Sequence, residues 1–388
     1  MGFWRSNYFE RPLIDGNMSG TADSNFNYSS HIANAVWAFL FIKIRRKYMK
    51  KLLALLVLST MVFTACGTKS ASTEATKVAT DDTAKVYTVG IGQFAEHGSL
   101  DNCRFGFIEG MKEEGFEEGK NVSYLYDNAQ TDGSAAALIY NKYLTQNVDL
   151  AMAIATPMAQ VAYSTCERGD VPVIYTAVSD PVAAGLANGN GMPVGDVTGT
   201  SDKIPAEAQL KLITEMFPDT KNVGMLYTTS EVNSVSAIED YKKVAEKFNV
   251  NIVVQAIDQG SDMPLAVDTI LPKVDVMTNL LDNTVVANMP VLIEKANEKK
   301  IPVFGSEIEQ VHKGCIAAMG LDYTELGKQT GRMAAKVLKG EKKASDMKFE
   351  VIENASLYIN NKVIENLGLD VDPSFATRAV EVYDDIIQ

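Results

Sequence analysis

From Val86 onward the sequence writes nearly the same pattern twice. Short β-rich runs alternate with longer amphipathic stretches, and after Gly199-Thr200-Ser201-Asp202 the series starts again. Alternation of this kind specifies parallel strands covered by helices, and its repetition specifies two similar α/β lobes. In the first series the spacing predicts strands over 86–91, 122–126, 150–155 and 171–176, with helices over 100–114, 135–145 and 158–165. In the second it predicts strands over 222–227, 251–256, 275–279 and 302–305, with helices over 206–217, 235–248, 263–271 and 289–298. Residues 315–320 read as one more strand, and 323–338 as a strongly helical segment.

The N-terminal part is of a different kind. Segment 49–67, MKKLLALLVLSTMVFTACG, has two lysines, an apolar core over 52–63 and a small-residue end, Thr64-Ala65-Cys66. That is the anatomy of a bacterial lipoprotein signal peptide, with Cys66 as the lipidation site. The core is about 12 residues long, against roughly 20 for a helix that spans a bilayer. Residues 1–48 are left as a misannotated start or a longer leader, and 66–85, rich in Ser, Thr, Ala, Lys and Asp, as a flexible tether. The expected location is extracytoplasmic, with lipidated Cys66 as the only membrane attachment.

Residues 1–65 hold 8 Lys+Arg against 3 Asp+Glu, a balance of +5, so the whole-chain −13 leaves −18 for residues 66–388. An acidic body of this kind argues against nucleic acid as a partner. Cys103, Cys166 and Cys315 are widely spaced and show no metal-type pattern with His97 and His312, so no metal is expected. They read either as three small buried residues or as one disulfide and a free thiol.

In open parallel sheets ligands bind beyond the carboxyl ends of the strands. Gln93, Thr156, Thr176 and Asp180 follow strands of the first series, and Ser201 and Asp202 stand at the restart. Ser230, Asn233, Ser234, Asp282, Asn283 and Glu307 follow strands of the second. Short hydroxyl, amide and carboxylate side chains at such places cap helices and frame backbone N–H groups that suit an anion. Each one alone reads equally well as a cap or turn residue.

An enzyme reading has one foothold, Gly90-Ile91-Gly92-Gln93-Phe94-Ala95 with Asp127 at the end of the next strand, which matches a dinucleotide-binding pattern. Against it, Gly98-Ser99 predicts that the helix begins only after His97, whereas the motif's last small residue belongs inside that helix. No Gly-x-Ser-x-Gly, P-loop or His-Glu-x-x-His pattern occurs. The expectation is a binding protein without a cofactor.

Six stretches carry a resemblance: 93–101 (QFAEHGSLD), 176–186 (TAVSDPVAAGL), 197–202 (VTGTSD), 281–285 (LDNTV), 301–307 (IPVFGSE) and 319–331 (MGLDYTELGKQTG). On these the chain resembles the solute-binding lipoproteins of ABC importers, in the branch associated with tryptophan, phenylalanine and tyrosine. The resemblance implies a type I periplasmic-binding-protein fold, with lobe 1 formed by 86–202 and about 316–345, and lobe 2 by 203–315 and about 346–388. It also implies a hinge, a ligand cleft between the lobes, and an ABC permease with its ATPase as partners. Applied to an aromatic amino acid, it places the carboxylate on Thr156, Thr176 and the backbone near Ala177. The ammonium falls first to Asp282, then to Asp202 and Glu307, with Asn283, Ser234 and Gln93 completing the polar shell. A branched-chain amino acid, a nucleoside or a sugar in the same cleft, a ligand sensor, or an exported enzyme are the alternatives. Two departures from the family stand out: Gly98-Ser99 follows His97 in place of Pro-Ala, and Thr156-Pro157-Met158 carries Met where smaller residues are usual.

Overall fold

The computed structural model describes residues 85–352 and 355–387. The leader, the signal segment with Cys66, and the tether up to residue 84 lie outside the described residues. Among the described residues no helix is long and apolar enough to cross a membrane.

The doubled pattern becomes two sheets with one strand order. The first sheet runs β11-β5-β4-β3-β1-β2, built from β1 Tyr87–Gln93, β2 Val122–Asn128, β3 Leu150–Ile154, β4 Val173–Thr176, β5 Val197–Ser201 and β11 Glu350–Val351, all parallel. The second runs β7-β6-β8-β9, from β6 Asn222–Thr228, β7 Asn251–Ile257, β8 Val276–Thr278 and β9 Val303–Phe304. Backbone bonds from Gly305 N to Ala317 O and from Ile316 N to Val303 O, both 2.8 Å, attach β10 Ala317–Gly320 beside β9. Each lobe therefore reads second strand, first, third, fourth, fifth. The order reverses between β1 and β3 in one lobe and between β6 and β8 in the other, which is where a doubly wound sheet leaves room for a ligand.

Helices cover both sheets. The central strands β3 and β4 are buried along their whole length, as strands covered on both faces must be. One core fills the first lobe around Phe107, Tyr140, Tyr143 and Met152, and two flank the second sheet, around Ile213, Met225 and Phe304 and around Met277, Val267 and Leu292. Gly90 and Gly92 belong to this packing. A Cβ on Gly90 would meet the ring of Tyr143, and one on Gly92 would meet Met158 and Tyr140. The helix Gly98–Glu113 begins after His97, so Ala95 precedes it and the dinucleotide pattern is a packing feature. Met158 is likewise a core residue under Gly92.

The chain crosses between lobes three times, and two crossings fall beside the expected places. Residues 317–320 pair with β12 Ser356–Asn360 in the second lobe, while Ala344, Met347 and β11 join the first. The segments are thus 85–202 with 321–352, and 203–320 with 355–387. The reason is hydrogen-bond pairing: β10 completes the second sheet, and only then does the chain return. The returning helix Tyr323–Leu338 lies on Gly98–Glu113 through four glycines. A Cβ on Gly106 or Gly110 would enter the backbone of Thr324 or Lys328, and one on Gly327 or Gly331 that of Cys103 or Phe107. Cys103, Cys166 and Cys315 are buried and free, which removes the disulfide alternative.

Candidate functional site

Two neighbouring cavities open between the lobes at the strand ends. The smaller is polar, with His97, Asp202, Asn233, Asn283, Glu307 and Tyr323 in its wall. The larger is mostly apolar, with Ile204, Ala206, Tyr241, Leu280 and Leu281 in its wall beside the polar Asp180 and Ser236. Asn233 and Leu281 line both.

The first lobe contributes the loops after β1 and β4 to the cavity walls, through His97 and Leu100 and through Ala177, Ser179 and Asp180, whereas Gln93, Ala155 and Thr156 line neither cavity. Ala155 and Ala177, directly after β3 and β4, sit at φ 83° and 54°, in the left-handed region that costs a residue with a Cβ about 1 kcal/mol or more. Of the two, Ala177 lines the polar cavity. Thr156 opens the helix Thr156–Cys166, with Pro157 behind it, and its buried hydroxyl has no protein partner. Gln93 ends β1; its amide nitrogen donates to Ala95 O at 2.8 Å and to Asp101 Oδ1 at 3.1 Å, leaving Oε1 buried and unpartnered.

The second lobe contributes two loops locked by buried carboxyls. Asp282 accepts from Thr228 N (2.7 Å), Thr228 Oγ1 (2.8 Å), Ser234 Oγ (2.7 Å) and Val285 N (2.9 Å), the last as cap of the helix Asn283–Ala287. Glu231 accepts from Asn283 N (3.0 Å) and Nδ2 (2.7 Å) and from Thr284 N (3.0 Å) and Oγ1 (3.2 Å). Burial, reinforced by the neighbouring Asp282 charge, pushes the Glu231 carboxyl well above the usual carboxylate range. Together the pair ties the loop after β6 to the loop after β8.

Asp202 differs. It is buried at the crossing between lobes, its Oδ2 accepts from Tyr323 Oη at 2.8 Å, and its Oδ1 has no partner. Burial raises its pKa. Glu307 lies beside it, pushed up to about 7 by burial. His97 has both ring nitrogens buried and without a hydrogen bond, with Nδ1 4.0 Å from Glu307 Oε1; burial lowers its pKa to about 4, so the ring is neutral at pH 7. Asn233 donates to Leu281 O at 2.8 Å and presents an unpartnered Oδ1.

Of the residues singled out from sequence, Asp202, Asn233, Asp282, Asn283 and Glu307 line the polar cavity. Asp282, expected first for an ammonium, is instead occupied by its four internal donors. Ser234 serves Asp282 in the same network. Thr176 points into the first lobe, sharing a hydrogen bond of 3.0 Å with Thr200, which in turn meets Thr330 at 2.8 Å. Ser201 donates to Ser179 O at 3.0 Å and so shapes the crossing. Asp180 reaches across the cleft to accept from Ser236 Oγ at 2.6 Å. Ser230 lines a separate surface groove with Val232 and Lys243. Sequence reasoning missed His97, Tyr323 and Glu231 as site residues; the polar run 228–234 after β6 was the available signal for Glu231.

Hydrogen bonds join the lobes through Asp180–Ser236 and through Glu309, which accepts from Ser99 Oγ at 2.6 Å and Asn102 Nδ2 at 2.5 Å. Known proteins supply the rest. The family model described as ABC transporter substrate binding protein matches residues 88–383. A tyrosine-binding protein of Clostridioides difficile (strain R20291) is 35% identical over 323 residues, covering 82% of this chain and 93% of that one. A Streptococcus pneumoniae ABC domain in complex with L-Trp is 32% identical, with TM-score 0.74, covering 77% of this chain and 100% of that one. A ligand-free, open substrate-binding protein with adhesive properties from Clostridium difficile is 34% identical, with TM-score 0.59, covering 77% and 99%.

Proposed function

Since the chain belongs to the ABC transporter substrate-binding family, we propose that it captures an aromatic amino acid in this cleft and delivers it, outside the cytoplasmic membrane, to a permease and its ATPase. The observation that carries the ligand class is the pairing of two cavities. One presents buried, unpartnered oxygens, Asp202 Oδ1 and Asn233 Oδ1; the other is mostly apolar, as an aromatic side chain requires. Each bare buried acceptor costs about 1–3 kcal/mol until a donor reaches it. An ammonium brings three donors, for Asp202, Asn233 and Glu307. The ring then enters among Ile204, Tyr241 and Leu280, and the carboxylate turns toward the backbone at Ala177 and the Thr156 hydroxyl.

Closure fits this role. The chain superposes better on the L-Trp complex than on the open form, at nearly equal identity. A hinge rotation between similar lobes produces that difference. Ligand contacts from both lobes favour the closed arrangement, which the permease can distinguish from the open one. Export and anchoring belong to the same proposal, supported by the signal anatomy and by Cys66.

A thermal-shift screen of the purified protein against amino acids, nucleosides and sugars tests the ligand. A ligand that binds only the folded state raises the melting temperature, by about 2.7 kcal/mol of stabilisation at 100 times Kd. The expected result is a shift confined to tyrosine, tryptophan and phenylalanine. A shift with a nucleoside or sugar alone sinks the amino-acid assignment and leaves the family intact.

A further inference from the structure

We infer that the polar cavity recognises its ligand through the ammonium group and not the carboxylate, so that aromatic amines lacking a carboxylate form a second ligand class. The inference rests on the reading of the cleft as an amino-acid site and deepens it. Three carboxyls, Asp202, Asp282 and Glu307, stand in the wall of the small cavity, and its wall contains no Lys or Arg. A fourth, Glu309, sits close by, held by Ser99 and Asn102. The cation of the larger cavity, Lys203, is engaged by Asp240 at 2.6 Å and Asp180 at 3.5 Å. Lys313 acts on Glu307 and His97 from an exposed position.

The unpartnered atoms point the same way. Asp202 Oδ1 and Asn233 Oδ1 are acceptors on residues 3% exposed, and both residues line the cavity. An acceptor is satisfied by a donor, which an ammonium has and a carboxylate lacks. His97, neutral, can offer a single N–H. A ligand carboxylate therefore meets only neutral donors and several nearby acids, while an ammonium meets bare acceptors and negative charge. Strong recognition of a carboxylate ordinarily uses a bidentate arginine, and none lines either cavity.

The test is calorimetric titration of the whole wild-type protein with L-tyrosine, tyramine and 3-(4-hydroxyphenyl)propionate, with tryptophan and tryptamine in parallel. The amine is expected within about 10-fold of the amino acid, because only neutral hydrogen bonds are lost. The propionate is expected at least about 100-fold weaker, because it leaves the cavity's buried acceptors bare. Asp202→Asn should weaken amine and amino acid by the same factor. Binding of the amino acid without the amine, or comparable binding of the propionate, overturns the inference while the amino-acid reading stands. Binding of the amine without any amino acid does the reverse. No binding by any of the five overturns both.

Discussion

Two buried aspartates at strand ends, Asp282 after β8 and Asp202 after β5, look alike in sequence and behave differently in the fold. Asp282 stands where two loops converge, and Thr228, Ser234 and Val285 bring four donors to its two oxygens. Asp202 stands where the chain leaves one lobe for the other, and receives one donor, from Tyr323, on one oxygen. A carboxylate's role in a cleft is thus decided by the local supply of donors. Where the fold saturates the group it becomes a brace; where it leaves an oxygen bare, the ligand is left to complete it.

The sharpest way to break this comparison is to remove each acid in turn. Asp282→Ala strands four buried donors and is expected to cost about 3 kcal/mol of stability, read by urea unfolding, while the folded fraction keeps affinity within a few-fold. A variant as stable as wild type but unable to bind would make Asp282 a ligand group after all. Asp202→Asn keeps the acceptor for Tyr323 and removes the charge. It is expected to lower affinity about 100-fold, which corresponds to about 2.7 kcal/mol, with little change in stability. A stability loss equal to that of Asp282→Ala, with affinity intact, would erase the distinction.

A third test uses the proton. Glu307 has an ordinary value of 4.5, and burial in the folded chain raises it to about 7. Between those values the folded protein holds a proton that the unfolded chain has lost, so this group's contribution falls as pH rises and stays low above 7. His97, lowered from 6.5 to about 4, works in the opposite sense, its contribution being lost as pH falls through that window. Asp202, Glu309 and Lys313 also face or act on this pair. Glu307→Gln removes one slope only. The variant is therefore expected to match wild type near pH 4 and to exceed its melting temperature by about 5 °C at pH 8. A difference that does not grow with pH contradicts a buried, proton-holding Glu307.

Much of the fold was legible because apolar runs and their spacing carry it: β1 to β4, β6 to β9 and the helix Tyr323–Leu338 fall where periodicity predicts, whereas β5, a Thr-, Gly- and Ser-rich run, was not read as a strand. What escaped is short or weakly patterned. Strand β11 is two exposed residues, and β12 and β13 Glu381–Tyr383 join a sheet whose partners lie far along the chain. The crossings were displaced because pairing of β10 with β12 is a long-range fact that no window of sequence contains. The site was legible as a region but not as roles. Thr176 and Thr156 both follow strands, yet one hydroxyl pairs with Thr200 and the other is bare. Strand periodicity fixes which face a side chain takes, not whether a neighbour meets it.

The smallest expected effect concerns a hydrogen bond that joins the two lobes. Ser236 donates to Asp180 across the cleft at 2.6 Å, and it makes no hydrogen bond to Asp202 or Asn233. A single hydrogen bond to a charged group is worth about 1.5–3 kcal/mol at most, and less where water can replace it. Asp180 is partly exposed and keeps Lys203 and the Ala183 N–H. Ser236→Ala should therefore weaken ligand binding about 3- to 10-fold by taxing closure alone. Ser236 and Asp180 stand in the wall of the larger cavity, so the loss is expected to be equal for an amine and its amino acid, which bring the same ring there. Equal losses across a ligand series, with unchanged unfolding in urea, would mark Ser236–Asp180 as part of the closing energy. Losses that differ between an amine and its amino acid would instead tie Ser236 to recognition of the carboxylate or ammonium, and the separation between brace, receptor group and latch would need redrawing.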